Sequence, residues 1–393
     1  MFNEQTLPSL DSATLKHCEL VTAAIKSAIE RTGGAIRFDE FMRMALYEPG
    51  LGYYMAGARK FGESGDFVTA PELGSLFGAA VAAQCEQVLQ TVEQPELLEF
   101  GGGSGKLAVS ILSNLEIESE LTYHIIELSP ELEQRQKQYV RDHAPHLFKC
   151  IRWHKALPTE PISGCIIANE VLDALPVRSF VSQAGEVFEC WVGVDESINF
   201  IEELRPADRS IVETLHANPG YEVCLALESY RFEMCSAVPA WIGDLGRILE
   251  KGLVLLIDYG DGRRERYGPL GAAGSLRSFL QHRVHDQVLA YPGGQDITAS
   301  VDFTHVAEAA VDAGFAVSGF VDQTTFLTSC GILHKVADFQ SGADEDTVLE
   351  LNEQLKTLLL PTKMGTRFKV MGLTKSWDAP LLGFGTRDNR RAL

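Results

Sequence analysis

The chain has 393 residues, 45% hydrophobic and 22% charged, a balance that fits one large globular domain or a core domain with insertions. Its formal net charge of −20 repels a phosphate backbone, which argues against nucleic acid as a partner and would attract cationic ones. No apolar run approaches the roughly 20 residues of a membrane span, and the eight cysteines form neither C-x-x-C pairs nor groups with histidine at zinc spacing, so a membrane protein, a disulfide scaffold and a metal site are not expected.

The opening stretch, MFNEQTLPSLDSATLKHCEL, contains acidic residues and no apolar signal core. It is also unlike an Arg-rich, acid-poor transit peptide, so the expectation is a cytoplasmic protein. Residues 1–35 predict a helical arm, with Leu20, Val21, Ala24 and Ile25 at helical spacing and Gly33 and Gly34 closing it. Residues 36–54 begin as a helix and break at Pro49 and Gly50. A loop rich in glycine and small residues, GESGDFVTAPELGSLFG (62–78), leads into a long helix ending near Gln90.

From residue 96 the pattern changes to short, nearly continuous apolar runs: ELLEF (96–100), TYHIIEL (122–128), GCIIANE (164–170) and GLVLLIDY (252–259). Runs of this length predict strands buried on both faces. Helical segments at 106–115, 130–140 and 240–249 separate several of them, and the alternation implies a mostly parallel α/β sheet with helices on both faces. Two insertions interrupt it. Residues 178–230 contain VFECWVGV and YEVCLAL, which read as extra strands, and residues 260–304 read as an elaborated loop. Residues 316–330 read as a strand pair returning to the sheet, and the tail from about 345 as an extension. The expected organisation is therefore an N-terminal helical region (1–95), a core (96–345) and a C-terminal extension (346–393).

The strongest local signal is LLEFGGGSGKL (97–107), in which a strand ends at Glu99 and Gly101, Gly103 and Gly105 precede a helix. Glycines at alternate positions permit a tight turn and close backbone approach to a ligand, and the helix N-terminus favours an anionic group. A P-loop is excluded because Phe100 and Leu107 stand where a glycine and a Ser or Thr are required; a dinucleotide fingerprint is excluded because Lys106 takes the third glycine position. The pattern [DE]-x-G-x-G-x-G instead predicts a turn that holds the carboxylate of S-adenosyl-L-methionine. Glu127, followed by Leu128, ends the next strand where a carboxylate can accept from two vicinal ribose hydroxyls. At the third strand's end Lys155 cannot accept a hydrogen bond from adenine, which leaves Trp153 or backbone groups for that contact.

The fourth strand runs into Asn169, Glu170 and Asp173, at the carboxyl end where open α/β sheets place their ligands. Glu170 and Asp173 would share one face of a helical turn and could clamp a guanidinium; helix capping by Asn169 and Asp173 is the competing reading. Asp258, ending the fifth strand, is either a substrate acid or a loop anchor, and His282, His285 and Asp286 read as an exposed loop, with a catalytic base among them as the alternative.

Taken together, YEPGLGYY (47–54), GDFVTAPELGSLFG (65–78), EFGGGSG (99–105), NEVLDALPV (169–177), IDYG (257–260), HDQVLAYPGGQDITASVDF (285–303) and MGTRFKVMGL (364–373) resemble the MidA-like class I methyltransferases, in the family's order and over most of the chain. Eukaryotic members include a mitochondrial complex I assembly factor that acts as an arginine methyltransferase. The resemblance implies a Rossmann-like class I fold with a seven-stranded sheet, S-adenosyl-L-methionine as cofactor, and a protein substrate presenting a basic, Arg-containing segment. It also implies that the GDFVTAPE segment folds over the cofactor through Asp66, Thr69 and Glu72. Methylation of a small molecule, and cofactor binding by an assembly factor without catalysis, remain the alternatives, and homo-oligomerisation is left open.

Overall fold

Strands whose every residue is apolar need cover on both faces, and one part of the molecule supplies it. The computed structural model describes residues 7–56, 69–117 and 120–393, and the chain divides into two compact units. The unit spanning 68–172, 238–260 and 303–393 is built on β1 (Glu96–Phe100), β2 (Thr122–Ile126), β3 (Ile151–His154), β4 (Ile162–Asn169), β5 (Leu249–Asp261), β6 (Ala316–Asp322) and β7 (Phe368–Lys375). Their order across the sheet is β3-β2-β1-β4-β5-β7-β6. The first five are parallel, and β7 runs antiparallel to both β5 and β6. They belong to an eight-stranded sheet, one strand more than the seven expected, in the Rossmann-like class I methyltransferase arrangement that the apolar runs and the resemblance implied.

In β5, Leu253 to Ile257 are all fully buried, because the two faces are covered by different helices. Leu253, Leu255 and Ile257 point into a cluster with Phe77 and Val81 of α1 (Ser75–Leu89) and Leu107 and Ile111 of α2 (Lys106–Asn114). The opposite face meets other helices: Phe100 packs edge-on against Trp241 of the helix Val238–Ile248, and Phe320 against Phe303 of the helix Phe303–Asp312. The helix α3 (Pro130–His143) follows β2, capped by Ser129, whose side chain accepts from the Leu132 N–H.

Two expectations change here. The segment 316–330 is not a strand pair: β6 ends at Asp322, whose side chain accepts from the Thr325 N–H and starts a helix, Gln323–Ser329. Its sheet partner is β7, from the tail expected as an extension. That tail also supplies a helix, Glu345–Leu359, with Leu351 and Leu358 buried in the core of this unit.

The other unit joins 1–67 to 173–237 and 261–302, so the expected N-terminal region of 1–95 is divided, its helix Ser75–Leu89 belonging to the first unit. Its first helix, Ser12–Arg31, is capped by Asp11 and buries Val21, Ile25, Ala28 and Ile29, while Leu20 is exposed. A three-residue strand, Ala35–Arg37, pairs with Glu186–Val194 in an antiparallel sheet that also contains Arg178–Gln183, Ser229–Met234 and Phe200–Pro206. YEVCLAL is not a strand: Tyr221 and Cys224 bury at the i, i+3 spacing of a short helix, Glu222–Ala226. The segment 260–304 is more than a loop. It forms a sheet of Arg277–Leu280, Arg283–His285 and Asp296–Thr298, in which His285 is buried.

Candidate cofactor and acceptor site

The strand order reverses between β1 and β4, and the crevice beyond their carboxyl ends is where an open α/β sheet receives a ligand. Phe100 pairs with Ala168 across the two strands, so the glycine turn and Asn169 emerge side by side. Gly101, Gly103 and Gly105 have φ of 63°, 51° and 88°, the left-handed region that favours glycine. Gly102 is needed for a different reason. A Cβ there would lie 2.8 Å from Cγ2 of Ile125 and 3.1 Å from Nε2 of Gln136. The turn thus combines glycines that bend the chain with one that makes room for a side chain.

Glu72 lies against this turn. It accepts from the Ser104 hydroxyl at 2.5 Å and pairs with Lys106 Nζ at 2.9 Å, with only 7% of its side chain exposed. It supports the turn from outside. Thr69 is the N-cap residue of the short helix Ala70–Leu73 that presents Glu72, without a side-chain capping bond. Asp66 lies outside the described residues.

Glu99 is buried and accepts from the Tyr123 hydroxyl at 2.9 Å. Burial pushes its carboxyl up to about 7; the Tyr123 bond pulls the other way and the Glu127 charge adds to the rise. Glu127 follows β2. Its Oε1 accepts from the Ser129 N–H at 2.8 Å and its Oε2 from Gln136 Nε2 at 2.9 Å. One bond per oxygen leaves further lone pairs on both, the requirement for meeting two vicinal hydroxyls. Burial raises this carboxyl too, opposed by those two hydrogen bonds and by the Lys155 charge. Leu128, the next residue, is half-exposed, a large apolar side chain beside the carboxylate where a purine face could rest. Lys155 is engaged elsewhere, donating to the Glu127 carbonyl at 3.1 Å and pairing with Glu133 at 2.6 Å.

Sequence reasoning missed Gln136. It is fully buried on α3 at the i+4 position between Leu132 and Val140, so a polar residue interrupting an apolar stripe was the available signal.

At the end of β4 the expected helical turn is absent, and helix capping by Asn169 and Asp173 falls with it. Asp258 prevents the helix: its Oδ2 accepts from the N–H groups of Val171 and Leu172 at 3.2 and 2.9 Å, and its Oδ1 from that of Tyr259 at 2.9 Å. Asp258 is thus a loop anchor. The turn it holds puts Glu170 at φ 53°, a conformation side-chain-bearing residues rarely adopt and one concentrated at functional sites. Asn169 Nδ2 donates to Glu170 Oε1 at 3.2 Å, while Asn169 Oδ1 is buried with no hydrogen-bond partner among the described residues. Asp173 belongs to the other unit, where it is buried and its charge, with that of Asp296, raises the phenols of Tyr47 and Tyr54 beyond the effect of burial.

The family described as "Putative S-adenosyl-L-methionine-dependent methyltransferase" matches residues 80–321, more than half of the chain. The chain belongs to this family. A crystal structure of a "likely methyl transferase" from Burkholderia thailandensis, bound to S-adenosyl-homocysteine, superposes with a TM-score of 0.91 at 34% identity, covering 99% of this chain and 100% of that one. The mitochondrial protein arginine methyltransferase NDUFAF7 of Danio rerio is 28% identical over 92% of this chain and 86% of its own. Its Drosophila melanogaster homologue is 29% identical over 86% and 82%. The methyltransferase therefore uses S-adenosyl-L-methionine, and the MidA-like resemblance holds. The compartment expectation does not: the relatives are named mitochondrial, which overturns a cytoplasmic reading that rested only on the composition of the opening residues.

Proposed function

We propose that this methyltransferase modifies an arginine side chain of a partner protein. The observation carrying this reading is that relatives named protein arginine methyltransferases align along 86–92% of this chain, through both units rather than the cofactor-binding sheet alone. S-adenosyl-L-methionine supplies an electrophilic methyl on a sulfonium. The chain's task is to hold and orient. Gly101, Gly103 and Gly105 with the N-terminus of α2 receive a carboxylate, Glu127 the ribose hydroxyls, Leu128 the base, and Glu99 sits behind the turn as a buried acid. Thr69 and Glu72 are assigned to the support of the turn, through the bonds of Glu72 to Ser104 and Lys106.

On the acceptor side, Glu170 is the acid assigned to a guanidinium, and Asn169 Oδ1 offers a buried acceptor that lacks a donor among the described residues. Fixing the acceptor nitrogen in line with the methyl is where such a site gains most of its rate. The net charge of −20 favours a basic segment as target and speeds its encounter. The two insertions, 178–230 and 260–304, are assigned to recognition of that protein.

The test is transfer of tritiated methyl to basic peptides containing arginine, or lysine in its place, by wild type and E170Q. Label confined to arginine peptides and lost in E170Q is expected. Label only in a metabolite extract would mean a small-molecule enzyme. Cofactor binding without transfer to either would mean an assembly factor that does not catalyse.

A further inference from the structure

We infer that Gln136 is a positioning residue that sets the orientation of the Glu127 carboxylate, with Trp153 fixing which way its amide faces. The inference rests on the reading of Glu127 as the ribose acid and adds what holds that acid in place.

An amide has one acceptor oxygen and two N–H donors, and Gln136 uses both ends. Its Oε1 accepts from Trp153 Nε1 at 3.0 Å. Its Nε2 donates to Glu127 Oε2 at 2.9 Å and to the Gly103 carbonyl at 3.1 Å. An indole N–H can only donate, so the atom facing Trp153 is the amide oxygen, and the nitrogen is thereby turned toward Glu127 and the glycine turn. All three polar hydrogen-bonding functions are committed and the side chain is fully buried, which leaves Gln136 nothing to offer a ligand directly.

Burial makes the arrangement selective. A rotated amide would set its oxygen against the Glu127 carboxylate and the Gly103 carbonyl and its nitrogen against the indole N–H, three unfavourable contacts away from water. The backbone has been shaped to admit it. A Cβ on Gly102 would come within 3.1 Å of Gln136 Nε2, and one on Gly105 within 3.2 Å of Gln136 Cα. Trp153 is itself braced by Phe148, with ring centroids 5.5 Å apart, and by Lys137 Nζ 5.1 Å over its ring. Glu127 Oε1 is held separately by the Ser129 N–H. The second oxygen therefore takes its direction from Gln136.

A double-mutant cycle read by calorimetry with S-adenosyl-homocysteine tests this. Q136M keeps the length of the side chain between Leu132 and Val140 and removes its donors. It is expected to weaken binding tenfold or more in wild type, and less than threefold in an E127A background. Equal losses in the two backgrounds, or no loss in wild type, would overturn the inference. Wild-type affinity in E127A would overturn instead the reading of Glu127 on which it stands.

If Q136M melts far below wild type, Q136E takes its place. Its carboxylate would face Glu127 without a donor, with Glu99, which burial lifts to about 7, His154 and the Lys155–Glu133 pair as the other ionisable groups nearby, all of them common to wild type, so the profile is read as the difference from wild type. Binding weaker than wild type at pH 8 and recovering toward pH 6, as the added carboxyl regains a proton to donate, is expected. A profile parallel to that of wild type sinks the inference.

Discussion

The Tyr123 hydroxyl donates to Glu99 Oε2 over 2.9 Å inside the core, between neighbouring strands β1 and β2. Because burial outweighs this bond, the Glu99 carboxyl titrates near 7 in the folded chain, against an ordinary value of 4.5. The folded state holds that proton across the interval and the unfolded chain does not. This group's contribution is complete below about 4.5 and is lost as pH rises through about 7, by up to about 3 kcal/mol. E99Q keeps the shape without the titration. The melting temperature of wild type should fall relative to that of E99Q between pH 4.5 and 8, and parallel curves would show that Glu99 is not held protonated.

Glu127 should be read by affinity. Removing its carboxylate in E127A takes away the acceptors proposed for both ribose hydroxyls, and S-adenosyl-homocysteine should bind at least tenfold more weakly, about 1.4 kcal/mol. Calorimetry decides it. Unchanged affinity would mean that the ribose is held by other groups and that Glu127 serves only the turn at Ser129.

Much of this was legible in the sequence, for a physical reason. A strand covered on both faces must be apolar at every position, so β5 announced itself, and a turn that forces positive φ must be glycine, so Gly101, Gly103 and Gly105 did too. What stayed hidden depends on distant partners. Residues 170–175 carry helix-compatible spacing, but Asp258, more than 80 positions away, takes the N–H groups of Val171 and Leu172 and holds a turn instead. The pairing of β6 with β7 joins segments some 50 residues apart, beyond any local periodicity. Gln136 looked like one more polar residue on a helix until its three partners, on the turn, just after β2 and on β3, came into place.

Two glycine substitutions should separate tight packing from mere flexibility. G102A places a methyl 2.8 Å from Ile125 Cγ2, in a fully buried side chain that cannot swing aside, and should cost about 1–3 kcal/mol of stability together with cofactor affinity. G243A sits in the helix Val238–Ile248 with nothing within 4 Å of the added carbon. It should gain about 0.5–1 kcal/mol from helix propensity, with binding unchanged. Chemical denaturation of both variants checks the pair, and a stable, ligand-competent G102A would show that the turn has slack the distances deny.

Glu170 offers the clearest contrast between stability and function. At φ 53° its side chain raises the energy of the turn by about 1 kcal/mol, which glycine would relieve. E170G should therefore melt higher than E170A, and at least as high as wild type. Both variants should lose methyl transfer tenfold or more while S-adenosyl-homocysteine affinity changes little, since the acid is assigned to the acceptor and not to the cofactor. Calorimetry, melting curves and tritium transfer on the same three proteins decide between outcomes. Full turnover in E170G would remove Glu170 from the acceptor site, and a parallel loss of cofactor affinity would move it to the cofactor's side of the crevice.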